Sequence, residues 1–232
     1  MLRLFKELNI WYERLVMLIL GLFLLIILWC FYDSWYVYSH VTDDSVMRYK
    51  PGVSDTTKEA PALSEDMAGW LTIDDTGIDY PVMHYKDNIK YLNTDPFGRY
   101  SLGGSIFLDY RNDPCFTDDY SLIYGHHMQH GRMFGALDNY LDEAYMREHS
   151  GGTLFIRKDG EKSKHIKIFA ALQTSADEKT VFNPGEGDIR RYIRSHAAVQ
   201  ISEPDGAIVG LSTCTGRDDD TRTGVFARII KT

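Results

Sequence analysis

A cysteine followed by a basic loop is the feature of this sequence best suited to covalent chemistry. Cys214 ends the apolar run AIVGLSTC, and the polar, turn-rich stretch TGRDDDTRTG follows it. Arg217, Arg222 and Arg228 stand within 14 residues of the cysteine. A nearby cation stabilises a thiolate and a developing oxyanion, so this pattern favours nucleophilic catalysis by Cys214. The alternative is a small buried thiol, which is the usual state of a cysteine without catalytic neighbours.

Three histidines follow a second apolar run and are candidates for a general acid and base. The segment SLIYGHHMQHG contains His126, His127 and His130. Cysteine catalysis needs one imidazole near the thiol in space, and separation along the sequence is no obstacle. The alternatives are a polar loop and a zinc site. Zinc is disfavoured because adjacent histidines point apart on extended backbone and no CxxC or HExxH spacing supplies further ligands.

The remaining residue patterns do not predict a cross-link or a cofactor. Cys30 lies in an apolar segment, which leaves Cys115 and Cys214 as the candidate disulfide pair. A domain of this size buries enough apolar surface without a disulfide, so we expect a reactive thiol instead. The Gly103-Gly104 pair indicates a turn rather than a phosphate-binding loop. The carboxylates of 218–220 indicate a solvated loop rather than a calcium site.

Short β-type runs recur through the body of the chain and must position these side chains. They are separated by turn-rich segments and do not alternate regularly with helices. The pattern predicts a closed antiparallel or mixed barrel of eight strands, with Cys214 at a strand end. Two helices are predicted in addition, Met133 to Tyr145 from its apolar repeat and Asp188 to His196 after an NPGEG turn. The predicted strands are 70–73, 78–84, 105–110, 120–124, 153–157, 165–174, 207–214 and 224–230.

The N-terminal region predicts a membrane anchor. The run from Leu15 to Tyr32 contains no charged residue and spans roughly 27 Å at ~1.5 Å per residue. Basic residues precede it and acidic residues follow it, so the positive-inside rule places the N-terminus in the cytoplasm. The alternative is a cleaved secretory signal, which normally has a shorter apolar core and a small-residue cleavage site.

Length and charge limit the classes of function. The chain has 232 residues, with 25 Lys and Arg against 33 Asp and Glu, and a net charge of −8. Because phosphate contacts require a basic surface, no nucleic-acid partner is expected. The predicted organisation is a cytoplasmic N-terminus (1–14), a transmembrane anchor (15–32), an extracellular juxtamembrane segment and linker (33–66) and a barrel (67–232).

Four segments between Met67 and Thr232 occur in the order typical of one protein family. They are GWLTIDDTGIDYPVMHYKDNIKYLNTDPFG, GGSIFLDYRND, SLIYGHHM and GLSTCTGRDDDTR. The most specific features are a histidine after Tyr-Gly and a Leu-Ser-Thr-Cys followed eight residues later by an arginine. In these features the chain resembles the class B sortases, which are membrane-anchored cysteine transpeptidases of Gram-positive bacteria. The resemblance implies a mainly β fold, an eight-stranded sortase-type barrel with a few helices behind a transmembrane helix.

The resemblance also implies roles for individual residues. The catalytic histidine of the family falls on His126, its nucleophile on Cys214 and its arginine on Arg222. Arg217, inside the loop, is a second guanidinium that competes for the last role. Support of the substrate or of the oxyanion is expected from the neighbouring residues Tyr124, Ser212 and Thr213. No metal or cofactor is implied.

The implied activity is acyl transfer. A sortase cleaves a C-terminal sorting signal after threonine and joins the acyl group to an amine. The implied partners are surface proteins or pilins that bear such a signal, an amine from a peptidoglycan precursor or a pilin lysine, and the membrane. Family motifs are of the Asn-Pro-x-Thr-x or Ser/Pro-Pro-x-Thr-Gly type, and nothing in the sequence selects between them. The alternatives are a cysteine hydrolase that passes the acyl group to water and a non-catalytic pilus-assembly module with Cys214 in its core.

Overall fold

The chain divides into two compact units, residues 1–43 and 44–232. The structure, a computed structural model, describes residues 2–41, 44–52, 62–157, 162–213 and 220–230. The loop 214–219, which contains Cys214 and Arg217, lies outside the described residues, as does part of the predicted linker.

The N-terminal unit is a single helix, α1 (Leu2–Val41). Its stretch Asn9–Trp35 comprises 27 residues with a mean hydropathy of 2.9, which makes it long and apolar enough to cross a membrane. The predicted span 15–32 lies within this stretch. The helix is therefore a candidate membrane anchor.

The second unit is a closed β-barrel, which confirms the predicted fold. Eight strands are hydrogen-bonded in the order β5-β1-β2-β3-β4-β8-β9-β6, and β6 pairs with β5 to close the ring. The pairs β2–β3 and β4–β8 are parallel and the others are antiparallel, so the barrel is mixed. A two-residue strand, β7, which the sequence did not predict, also pairs with β6. The strands are β1 (Met67–Ile73), β2 (Asp79–Met83), β3 (Ile106–Leu108), β4 (Tyr120–Gly125), β5 (Gly151–Ile156), β6 (Lys162–Ser175), β7 (Val199–Gln200), β8 (Ile208–Thr213) and β9 (Thr221–Ile229).

The two predicted helices have different outcomes. The second is confirmed as α4 (Ile189–His196), which begins where the Asp188 carboxylate accepts a hydrogen bond from the Arg191 backbone N–H at 3.0 Å. The first was wrong as one continuous helix. A 3₁₀ helix (Gly135–Leu141) and α2 (Glu143–Glu148) replace it, because Asp142 has an extended backbone between them and caps α2. The other helical segments are α3 (Lys179–Phe182) and the 3₁₀ helices Asp44–Tyr49, Lys90–Leu92 and Gln129–Gly131.

The segment before the barrel packs against its wall. Lys50 Nζ lies 2.6 Å from Asp79 Oδ2, and the same carboxylate accepts hydrogen bonds from Trp70 Nε1 and Thr72 Oγ1 at 2.7 and 2.8 Å. Side chains of the 3₁₀ helix Asp44–Tyr49 join the apolar cluster around Trp70. The compact body therefore includes residues 44–52 as well as the strands.

Candidate active site

Two neighbouring parallel strands end at the candidate site. In the β4–β8 ladder Tyr124 is level with Ser212, and Gly125 with Thr213. Every residue of β8 is buried, so this strand lies within the core of the barrel. His126 follows Gly125 directly, and Cys214 follows Thr213 in the sequence. The two predicted catalytic residues, His126 and Cys214, therefore directly follow Gly125 and Thr213, which are aligned with each other.

Close packing explains why a glycine precedes His126. A Cβ atom at Gly125 would lie 2.8 Å from the ring of Phe134, which is fully buried. The backbone N–H of Phe134 also donates to the His126 carbonyl oxygen at 3.0 Å. The Tyr-Gly-His pattern therefore allows the chain segment that carries His126 to pack directly on Phe134.

The His126 ring is held by the segment that precedes β3. Its Nε2 atom lies 2.8 Å from the carbonyl oxygen of Leu92. Because a carbonyl can only accept, Nε2 carries the proton in this contact, and Nδ1 is the other ring nitrogen available for proton exchange. The imidazole is half-buried.

Arg222 reaches the end of β8 from β9. The two strands are antiparallel, with Ser212 level with Gly224, which confirms the predicted pairing of a strand starting near Arg222. Arg222 Nη1 donates to the Thr213 carbonyl oxygen at 3.2 Å. The buried Ser212 hydroxyl lies 3.3 Å from the same oxygen. This carbonyl belongs to the peptide unit that joins Thr213 to Cys214, so Arg222 holds the last described residue before the cysteine.

The other basic and imidazole candidates have different surroundings. Arg228 lies at the far end of β9, level with Ile208 at the start of β8, and its guanidinium is paired with Asp205. His127 Nε2 contacts Asp138 Oδ2 at 2.8 Å. No group of three His, Cys, Asp or Glu side chains able to hold a metal ion occurs in the part of the chain that the structure describes.

A cleft of about 310 Å³ lies beside Tyr124 and Arg222. Sequence analysis identified these two residues but missed the other five described residues that line the cleft, because four are apolar or small and the fifth is an ordinary amide. Phe182 comes from α3, whose presence the sequence pattern did not indicate. The five missed residues are Asn88, Leu92, Phe107, Ala176 and Phe182.

A buried carboxylate supports one wall of this cleft. Asp109 is fully buried and accepts hydrogen bonds from Arg111 at 2.7 and 2.8 Å and from Asn88 Nδ2 at 2.9 Å. The Tyr124 hydroxyl lies 3.2 Å from the same carboxylate. Burial by itself raises the pKa of Asp109, but the hydrogen bonds from Arg111 and Asn88 outweigh it and keep the pKa below its usual value. The carboxylate is therefore ionised at neutral pH.

The same arginine fastens the neighbouring wall of the cleft. Arg111 Nη2 donates to the Phe182 carbonyl at 2.6 Å, and Nη1 donates to Asn183 Oδ1 at 2.6 Å. The end of α3 is thereby tied to the segment that follows β3. These two hydrogen bonds fix the position of the wall that Phe182 forms.

Comparison with known proteins assigns a family to this fold and site. A model of the sortase domain matches residues 71–230. Sortase B of Listeria monocytogenes is 36% identical over 176 residues, which cover 72% of this chain and 70% of that protein. The crystal structure of a Streptococcus pyogenes class B sortase involved in pilus biogenesis matches with a TM-score of 0.64 at 33% identity, over 72% of this chain and 94% of that one. The Staphylococcus aureus sortase B–substrate complex matches with a TM-score of 0.65 at 26% identity, over 73% and 82% of the two chains.

The closed eight-stranded barrel of this chain matches these sortase structures. The chain belongs to the sortase family and, with these relatives, to its class B.

Proposed function

We propose that the protein is a cysteine transpeptidase that cleaves a C-terminal sorting signal after threonine and transfers the acyl group to an amine. The observation that carries the proposal is the hydrogen bond from Arg222 to the Thr213 carbonyl, at the end of a strand aligned with the one that precedes His126. His126 follows β4, Arg222 bonds to the last residue of the adjacent strand β8, and Cys214 is the next residue after β8 in the sequence. This is the arrangement that thiol catalysis requires.

The proposed reaction has two acyl-transfer steps. The Cys214 thiolate attacks the threonine carbonyl, the peptide C–N bond breaks, and His126 gives a proton to the departing amine. The incoming amine then attacks the thioester, loses a proton to His126 and expels the thiolate. The proton exchange is assigned to Nδ1, because Nε2 is bonded to Leu92.

Arg222 is assigned to the substrate carbonyl or its oxyanion. The guanidinium is half-buried, bonded to a neutral carbonyl, and lines the cleft, so its remaining N–H groups can bind a second carbonyl. Ser212 and Thr213 are buried, and we infer that they support the backbone on which Arg222 and Cys214 depend rather than contact the substrate themselves. Tyr124 lines the cleft and is assigned to substrate binding.

Hydrolysis is the alternative that shares the first step. Incubation of the full-length chain in detergent with sorting-signal peptides and triglycine separates the two. A cleaved peptide joined to triglycine by an amide bond supports transfer. The free acid as the sole product at saturating triglycine contradicts transfer. A non-catalytic assembly module is the remaining alternative, and it predicts no reaction of Cys214 with a thiol reagent at neutral pH.

The substrate and the orientation in the membrane are part of the same proposal. The class B relative from S. pyogenes is involved in pilus biogenesis. For this chain we propose that the acyl donors are either pilins or other surface proteins. The amine is assigned to a peptidoglycan precursor or a pilin lysine. We assign α1 as a single-pass anchor with the N-terminus in the cytoplasm and the barrel outside. A peptide library varied at the first two motif positions identifies the donor motif.

A further inference from the structure

One carboxylate outside the cleft contacts both segments that carry the proposed catalytic side chains. Asp138 lies on the 3₁₀ helix Gly135–Leu141. Its Oδ2 atom lies 2.8 Å from His127 Nε2, and its Oδ1 atom accepts a hydrogen bond from Thr223 Oγ1 at 2.6 Å. These two partners are the sequence neighbours of His126 and Arg222.

The loop after β4 is closed tightly against the helix that carries this carboxylate. The His126 carbonyl accepts the Phe134 N–H, and His127 forms an isolated antiparallel bridge with Met133. A Cβ atom at Gly135 would lie 1.8 Å from the Met128 carbonyl oxygen, so only glycine fits where the helix begins. The position of the helix therefore sets the position of the His126 loop.

The start of β9 is held on one side by β6 and on the other by this helix. Arg222 and Thr223 are level with Thr174 and Gln173 of β6. Towards β8 the last aligned pair is Ser212 with Gly224, so Thr223 lies just beyond that ladder. Because side chains alternate along a strand, Arg222 lines the cleft while the buried Thr223 hydroxyl meets Asp138 on the opposite face.

We propose that Asp138 is a positioning residue for the transfer reaction, which fixes the spacing of His126 and Arg222 through their neighbours His127 and Thr223. The inference rests on the proposed function, because it takes His126 and Arg222 as the reacting groups. Asp138 is absent from the described residues that line the cleft, so its effect is exerted through the two bonds and not by contact with substrate. A shift of about 1 Å in a catalytic group can cost 10²-fold in rate.

The test measures kcat and KM for transfer from a sorting-motif peptide to triglycine, with the full-length chain in detergent. Asp138→Ala is expected to lower kcat about tenfold and to leave KM within about twofold, since the cleft is untouched. Asp138→Asn keeps an oxygen for Thr223 and an amide for His127 and is expected to restore kcat to within about threefold. Asn139→Ala, at the exposed neighbouring position on the same helix, is the matched control and should match the wild type.

A double variant tests whether the bond to Thr223 carries the effect. Thr223→Val removes the hydroxyl without changing the side-chain shape, and it keeps the inference testable if Asp138→Ala does not fold. We expect Thr223→Val to lose several-fold in kcat and Asp138→Ala/Thr223→Val to be no slower than Asp138→Ala. If the kcat losses of the two single variants multiply in the double variant, this inference alone is overturned. The same follows if Asp138→Ala keeps the wild-type kcat while His126→Ala is inactive. A wild-type chain without transfer activity overturns the proposed function and this inference with it.

Discussion

The two ends of the barrel carry the same reactive residue types in opposite electrostatic settings. Where β4 and β8 end, Arg222 donates to the neutral Thr213 carbonyl, and the chain continues into Cys214. Before the start of β4, the Cys115 backbone N–H donates to the Asp113 carboxylate at 2.9 Å. At the same end Arg228 is paired with the exposed carboxylate of Asp205. A guanidinium bonded to a neutral group retains a positive field for an anion, whereas one paired with a carboxylate largely does not.

Replacement of the two cysteines should give the largest difference between these ends. Cys214→Ala is expected to abolish both acyl-enzyme formation and transfer, because the nucleophile is lost. Cys115→Ala should leave both nearly intact, since its neighbour is a carboxylate and not a cation. Intact mass and transfer rate measure the two steps. Comparable losses in both variants would contradict the assignment and favour a disulfide between the two positions.

Three histidines follow β4, and their replacement tests which of them is catalytic. His126→Ala should be close to inactive, because the leaving amine then has no proton donor at the strand end. His127→Ala removes one of two bonds to Asp138 and His130→Ala removes an exposed ring, so both should be mild by comparison. Transfer rates at saturating triglycine test the order. An active His126→Ala with an inactive His127→Ala would shift the catalytic role by one residue.

Arg222 and Arg228 lie towards the two ends of β9, so their replacement compares these ends within one strand. Arg222→Lys is expected to lower kcat about 10²-fold or more despite its retained charge, because the planar fork that bonds the Thr213 and substrate carbonyls is lost. Arg228→Lys should be nearly silent, since it lies at the opposite end of β9. Arg217→Lys should be nearly silent too, because the sequence predicts that Arg217 belongs to a polar, turn-rich loop. Loss of transfer activity in Arg217→Lys, with activity retained in Arg222→Lys, would assign the functional guanidinium to Arg217.

A smaller effect is expected from the carboxylate behind the cleft wall. Asp109→Asn leaves Arg111 without its buried counter-charge and should reduce the free energy of unfolding by about 1–3 kcal/mol. The folded-state pKa of Asp109 is below its usual value, so this stabilisation is fully present above pH ~4 and is lost as the pH falls through the folded-state pKa. Denaturant titration between pH 7 and pH 3 measures the trend. A difference between variant and wild type that grows towards acid would contradict it.

The barrel was predictable because its signals are local. Each of the eight barrel strands contains a short apolar run between turns, and Asp188, a residue type that caps helices, directly precedes α4. The break at Asp142 was not predictable, because the apolar repeat continues through it and only the backbone conformation separates the two helical segments. The strand β7 has two residues, too few for any periodicity.

The site was predictable only in its chemically distinctive residues. His126 and Cys214 follow apolar strand runs, Arg222 comes shortly before one, and all three have chemically distinctive side chains. Leu92 and Phe182 line or hold the cleft through their packing and backbone carbonyls, which no residue type reveals. The contact between Asp138 and Thr223 joins positions 85 residues apart, so it depends on how the barrel closes.

We propose that Cys214, His126 and Arg222 form one acyl-transfer site. The most direct measurement is the intact mass of the full-length chain after reaction with a sorting-motif peptide, followed by peptide mapping and addition of triglycine. We expect a thioester adduct on Cys214, which forms far more slowly in His126→Ala and Arg222→Lys. Triglycine should then release the acyl group as a new amide. An adduct on Cys115, or a Cys214 adduct released only as free acid at saturating triglycine, would contradict this assignment.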